Sequence, residues 1–230
     1  WGLPAGERAA WAAGLGVAVV HDAAEAAGLD YLFYVGSAMS YDPRGQKIAR
    51  AFVRILQQAG VRFAILGAAE GSTGECVRRV GNEMLFRQLA TTLAGTLGEL
   101  GVRRIVTCDP HALNSLRNEY PELGVHIEVV HHTQVIAELL ADRRIEVDAS
   151  LERVTYHDSC AGLREMGTKR QPRALLAKVP GLSLKEMADC ETCCGFGGTF
   201  ALKFGEISSR LADNKCGHIA ASGADAVVLG

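Results

Sequence analysis

Apolar runs separated by polar turns recur along this chain at a spacing that predicts alternating strands and helices. Tyr31-Leu32-Phe33-Tyr34-Val35 reads as a buried strand. Gln46 to Ala59 reads as a helix with Ile48, Ala51, Phe52 and Ile55 on one face, ended by Gly60. Val61 to Leu66 reads as a second strand, Glu83 to Leu100 as a helix closed by Gly101, and Val102 to Val106 as a third strand. A helix over His111 to Asn118, a strand over Val125 to Val130 and a helix over Thr133 to Ala141 complete the series. After a break at Asp142 to Leu151 the pattern restarts, with strands at Arg153 to Tyr156 and Leu182 to Met187, a helix at Ile207 to Ser222 and a strand at Ala224 to Leu229. Such alternation specifies an α/β fold with parallel sheets covered on both faces. Ligands of these sheets bind at the carboxyl ends of the strands. Residues 1–30, rich in alanine and glycine with one helical stretch from Glu7 to Ala13, read as an N-terminal extension.

The second series repeats the first. The strand ending Tyr34-Val35-Gly36-Ser37 matches the one ending Tyr156-His157-Asp158-Ser159-Cys160. Val61 to Leu66 followed by Ser72-Thr73-Gly74 matches Leu182 to Met187 followed by Cys193-Cys194-Gly195. This is an internal duplication, with a first domain over 31–145 and a second over 150–230. Each thiol of the second copy has a hydroxyl in the first.

Composition narrows the function. Of 230 residues, 48% are hydrophobic and 22% charged, so a substantial core is expected. The net charge of −2 and the lack of a basic block argue against nucleic-acid binding, which rests on neutralising phosphates. No apolar run approaches the roughly 20 residues of a membrane span. The opening Trp1-Gly2-Leu3-Pro4 lacks both an initiating methionine and the pattern of a signal peptide, and reads as the start of a fragment or processed piece. Five of the seven cysteines (Cys160, Cys190, Cys193, Cys194 and Cys216) fall in the last third. That uneven placement fits a metal or redox use in a reducing cytoplasm better than a secreted disulfide framework.

The candidate chemistry centres on Cys193-Cys194, inside the glycine-rich run Cys193-Cys194-Gly195-Phe196-Gly197-Gly198, with Cys160 upstream. Adjacent cysteines are too constrained for an easy mutual disulfide, so two thiols on one turn point to a metal, a cluster or redox chemistry; the competing reading is two small buried residues. Gly195, Gly197 and Gly198 suit close approach of backbone to a bulky ligand. His157 sits beside Cys160, positioned either to donate to a ligand or to hydrogen-bond at the strand end. No GxGxxG fingerprint follows the first strand, so no nucleotide site is expected.

The spacing from Cys160 to Cys193-Cys194-Gly195, in two copies, resembles the cysteine-rich CCG domain family. That family includes B and D subunits of heterodisulfide reductases and iron–sulfur subunits of glycolate oxidase and of lactate-utilisation complexes. The run His157 to Glu165 with Glu191 to Phe200 is most similar to the lactate-utilisation type. The first copy, with Tyr41 to Arg50 and Asn118-Glu119-Tyr120-Pro121, is more similar to heterodisulfide-reductase relatives.

The resemblance implies two tandem Rossmann-like domains and an iron–sulfur cluster, [4Fe-4S] and in some members non-cubane, held by Cys160, Cys193 and Cys194. Gly195, Gly197, Gly198 and His157 would line it, and zinc is the alternative. It further implies an electron-transfer subunit of an oxidoreductase, partnered by a flavoprotein dehydrogenase subunit or a ferredoxin-like subunit.

In the first copy Ser37, Ser72, Thr73, Asp109 and Ala112 occupy the cysteine positions, which predicts a ligandless partner domain. The second copy's closing cysteine motif would begin after Gly230. Cys190 reads as a neighbouring thiol or a substitute ligand, Cys216 as core, and Cys76 and Cys108 as packed thiols. His111 is expected to cap a helix, and His131-His132 to serve structure rather than a zinc site. The competing function is a scaffold without redox chemistry; a third is thiol–disulfide exchange by Cys193-Cys194 alone.

Overall fold

The computed structural model describes residues 4–229; the readings that fall on Trp1-Gly2-Leu3 and on Gly230 lie outside the described residues. The chain divides into two compact units, Trp1–Ile145 and Glu146–Gly230.

In the first unit the elements run β1 (Ala18–Val19), α1 (Ala23–Ala26), β2 (Tyr31–Tyr34), α2 (Ser37–Tyr41), α3 (Pro43–Gln58), β3 (Phe63–Ile65), α4 (Glu75–Arg79), α5 (Glu83–Glu99), β4 (Arg104–Thr107), α6 (Pro110–Asn114), β5 (Glu128–His131) and α7 (His132–Ala141). The strands form one parallel sheet in the order β1-β3-β2-β4-β5. The central strand β2 is buried at all four positions, as a strand covered on both faces must be. The first thirty residues contribute to this sheet, since Ala18 and Val19 pair with Ala64 and Ile65 at its edge. The helical stretch expected over Glu7 to Ala13 is instead two short 3-10 turns, Ala5–Glu7 and Ala10–Ala12, the second carrying Trp11 edge-on to Phe33.

Helix α3 begins three residues earlier than the pattern predicts and buries a different face. Asp42 caps it by accepting from the amides of Arg44 and Gly45. Gly45 lies so close to α2 that a Cβ would sit 2.7 Å from the Ala38 carbonyl oxygen. With the first turn held there, Ala49, Phe52, Val53 and Leu56 face the core, whereas Ile48 and Ala51 face solvent. The helix expected over His111 to Asn118 is α6 followed by a π-helical turn, Ser115–Glu119. Its cap is Asp109, which accepts from the amides of His111 and Ala112; His111 does not cap it.

The second unit contains β6 (Arg153–His157), α8 (Arg170–Leu176), β7 (Ser183–Leu184), α9 (Thr199–Lys203), α10 (Gly205–Ala221) and β8 (Ala226–Leu229), with a parallel sheet ordered β7-β6-β8. The duplication is visible in the hydrogen-bond register. Leu32 of β2 pairs with Ala64 and Ile105; Val154 of β6 pairs with Leu184 and Ala226. Strands β3-β2-β4 and β7-β6-β8 are therefore the same arrangement twice. Among the described residues no helix is long and apolar enough to cross a membrane.

Candidate metal centre

Cys160 is presented by the carboxyl end of β6, where the chain turns through His157-Asp158-Ser159 into a π-helical turn, Ala161–Glu165. Single π turns of this kind recur at functional sites. The turn is tied down locally: the Gly162 amide donates to Ser159 Oγ at 3.2 Å, and the Thr168 hydroxyl donates to the Gly162 carbonyl at 2.7 Å. Cys193 and Cys194 lie on the loop that follows β7. Cys193, and less strongly Cys194, act electrostatically on the Cys160 thiol, which places the three in one neighbourhood. Burial first, and the neighbouring Cys193 second, push the Cys160 thiol above its ordinary range. All seven cysteines are free, so none of these thiols is spent in a disulfide.

The glycines around the pair have distinct jobs. Gly195 has φ +82°, and its amide points to Cys193 Sγ at 3.3 Å. A Cβ there would stand 2.3 Å from the Ser208 carbonyl oxygen of α10. Its smallness thus lets the cysteine loop close on the helix. Gly197 (φ +40°) and Gly198 (φ +54°) also adopt left-handed backbone, and a Cβ on Gly198 would meet no atom within 4 Å. Gly195→Ala is expected to destabilise the second unit by at least about 2 kcal/mol, combining left-handed strain with the clash. Thermal unfolding of the variant measures it; an unchanged melting temperature contradicts this role for Gly195.

The surroundings are rich in cations. Buried Asp158 is gripped by Arg173 through two hydrogen bonds of 2.9 and 2.8 Å, and Arg173 also reaches Glu186. Burial pushes the Asp158 carboxyl up, but the Arg173 hydrogen bonds and charge outweigh it and hold the group below the usual carboxylate range. A carboxyl held down in the folded state stabilises above its unfolded pKa, and that stability is lost as pH falls through the folded value. Asp158→Asn should therefore cost about 1–3 kcal/mol at neutral pH and little in strong acid, as unfolding at several pH values would record. A deficit of the same size at every pH contradicts it.

Burial, and then the neighbouring Asp158 carboxylate, raise the Cys190 thiol. His157 lies at the end of β6 with Nδ1 buried and without a hydrogen-bond partner among the described residues. Burial, then the charge of Lys215, keeps its imidazole below the ordinary histidine range.

Among the described residues no three His, Cys, Asp or Glu side chains converge closely enough to hold one metal ion. A single zinc needs all its sulfurs about 2.3 Å from one point, whereas a cluster spreads its ligands over several irons. Unpaired neighbouring thiols, an amide aimed at one sulfur and an unsatisfied imidazole nitrogen fit a multinuclear group in this place.

The equivalent place in the first unit is filled by protein. Arg8 donates to Glu70 at 2.8 and 3.1 Å, and Glu70 accepts from the amides of Val35 and Gly36, both at 2.9 Å. Arg8 also reaches Ser37 Oγ at 3.3 Å. Ser72 and Thr73 accept from the amides of Gly74 and Glu75, and Asp109 caps α6. Ser72, Thr73 and Asp109 are thus used by the backbone around them, and Ser37 by Arg8.

The buried Arg8–Glu70 pair leaves no trace in the sequence pattern, since residues 62 positions apart carry no local signal of pairing. Cys216 lies on α10 as expected but is exposed, and so is Cys76, because each lies on the solvent side of its helix. Cys108 is half-buried. His131 caps α7 through a capping box with Gln134, and His132 packs edge-on to Phe52.

The profile of the CCG family, described as a cysteine-rich domain, matches residues 31–117 and 154–230. The chain is 41% identical over 219 residues to a probable iron-sulfur-binding oxidoreductase, FadF, of Bacillus subtilis, an alignment covering 92% of this chain and 31% of the relative. It is 27% identical over 206 residues to a component of the dihydromethanophenazine:CoB--CoM heterodisulfide reductase of Methanosarcina mazei, covering 85% of this chain and 50% of the relative. Over 84 residues it is 48% identical to lactate utilization protein A of Halalkalibacterium halodurans, covering 36% of this chain and 34% of the relative. The chain therefore spans between about a third and a half of the length of these relatives. With the duplicated strand register and the two matched segments, the chain belongs to the cysteine-rich CCG domain family, as two tandem repeats.

Proposed function

We propose that the second repeat holds an iron–sulfur cluster of the [4Fe-4S] type, including its non-cubane form, through Cys160, Cys193 and Cys194. On this reading the chain is an electron-transfer part of an oxidoreductase. The observation that carries this is Cys160 at the carboxyl end of β6 with Cys193 and Cys194 as its electrostatic neighbours on the loop after β7, set against a first repeat whose equivalent place is filled by protein. Three thiolates gathered on one group would repel one another by about 4 kcal/mol per pair at 4 Å and an effective dielectric of 20. Cationic iron removes that repulsion. Such a cluster takes up and passes on electrons at a potential set by its charge and by hydrogen bonds to sulfur.

The residues around it have separate tasks. Cys160 and Cys193 must lose their protons to bind iron, so uptake strengthens with pH. The Gly195 amide donates toward Cys193 Sγ, and the Nδ1 of His157 is free to donate to a sulfur. Cys190, a neighbour of the Asp158 carboxylate, stays outside the ligand set. Single-zinc binding is the weaker reading, because no three ligands among the described residues meet at one point. Seven free cysteines suit a reducing cytoplasm. A flavoprotein dehydrogenase subunit or a ferredoxin-like subunit would exchange electrons with the site, as the family resemblance implies.

Anaerobic reconstitution followed by a dithionite titration monitored by EPR tests the proposal. It predicts reversible uptake of electrons with an iron-dependent signal. Protein that binds zinc but no iron would favour the scaffold reading.

A further inference from the structure

Helix α10 buries one residue, and that residue is a lysine. Lys215 Nζ donates to the carbonyls of Asp189 and Cys190, each at 3.0 Å, and rests 4.0 Å from Met187 Sδ. No carboxylate among the described residues pairs with it. A buried ammonium without a counter-charge is costly and persists only where something compensates it.

The carbonyls that Lys215 grips belong to the turn leading into Cys193-Cys194. That turn is unusual: Asp189 has φ +48°, a conformation side-chain-bearing residues adopt rarely. The Asp189 carbonyl also accepts from the Thr192 amide at 2.9 Å. Lys215 thus sits at the centre of the turn and pins it from the helix. Its charge is also felt at His157, on the strand that delivers Cys160. This buried cation is therefore anchored to the turn that leads into Cys193-Cys194.

We infer that Lys215 is a positioning residue for the thiol site, fixing the 189–192 turn and supplying the buried positive charge that balances an anionic cluster. The inference rests on the reading of that site as an iron–sulfur site. A fixed cation favours the reduced, more negative form, so it raises the reduction potential of the group beside it.

The test uses the full chain as Lys215→Met, Lys215→Gln and Lys215→Arg. Met removes charge and donors, Gln keeps a donor without charge, and Arg keeps both. In iron-free protein, amide hydrogen exchange of the peptide over residues 188–196 is expected to quicken at least tenfold in the Met variant and to stay near wild type in the Arg variant. After reconstitution, the Met and Gln variants are expected to show at least a tenfold lower ratio of reduced to oxidised cluster at a fixed potential, a shift of about 59 mV for one electron, with Arg restoring the wild-type value.

If the Met variant fails to fold, the Gln variant carries the comparison, since it can hold the turn while lacking the charge. Wild-type exchange rates in the Met variant, or a wild-type potential in the Met and Gln variants, would overturn the inference. If the wild-type protein itself takes up no iron, it is the cluster reading that fails, and the exchange experiment on iron-free protein still decides whether Lys215 holds the turn.

Discussion

Changing Cys193 to serine is expected to lower the iron retained after anaerobic reconstitution at least tenfold while leaving the fold intact. Serine has nearly the shape of cysteine, and its oxygen can accept from the Gly195 amide as Cys193 Sγ does at 3.3 Å. The cost in stability should thus stay within about 1 kcal/mol. Its hydroxyl proton is far harder to remove than a thiol's, so it makes a poor ligand for iron. Cys160→Ser and Cys194→Ser should behave alike. Cys76→Ser and Cys216→Ser should retain wild-type iron, because both residues are exposed on their helices and outside the proposed ligand set. Cys190→Ser should retain it too, since that thiol neighbours the Asp158 carboxylate and stays outside the proposed ligand set. The first repeat makes the same comparison within the chain: Ser37, Ser72 and Thr73 stand where the family has thiols, and Ser72 and Thr73 serve as acceptors for backbone amides. Iron quantification across the series separates a three-thiol site from one in which any cysteine suffices; equal retention in all variants contradicts the assignment.

Arg8→Met is expected to destabilise the first unit by about 3–5 kcal/mol, because it leaves Glu70 buried without its partner. The pair stands where a cluster would stand in a complete repeat, so the same substitution tests how this repeat manages without one. The pH dependence has a definite sign. Burial raises the Glu70 carboxyl, and Arg8 is the main influence opposing that rise. Without Arg8 the folded value climbs further above the unfolded one. A carboxyl raised on folding binds more protons folded than unfolded, so stability grows as pH falls. The deficit of Arg8→Met should therefore be largest at neutral pH and shrink in acid. Denaturant unfolding at pH 7 and pH 5 checks it; a deficit that grows in acid would mean that Glu70 is not the group left exposed to the loss.

The repeated architecture is legible in the sequence because buried parallel strands are nearly continuous apolar runs, as in Tyr31 to Val35. The placement of Cys160 and Cys193 after the ends of strands follows from that pattern, and in the structure Cys193 acts electrostatically on the Cys160 thiol. Other features follow from contacts distant in sequence, where local patterns are silent. The buried face of α3 departs from the periodicity because Gly45 is drawn against α2 and Asp42 caps the first turn. Strand β7 is two residues long where the apolar run predicts six, since only Ser183 and Leu184 find partners on β6. Cys216 reads as core by composition, yet the buried position of its helix belongs to Lys215. The glycine run predicts room for a ligand at Gly195, while the structure puts α10 in that space.

The central claim is that the thiols of the second repeat, and none of the first, hold one iron–sulfur cluster. Iron and acid-labile sulfide, measured per chain in anaerobically reconstituted wild type and in the Cys160→Ser, Cys193→Ser and Cys194→Ser variants, test it most directly. Iron and sulfide are expected in equal amounts, at one cluster per chain in the wild type, with loss of both in each variant. Wild-type protein without iron or sulfide, or variants that keep both, would contradict it.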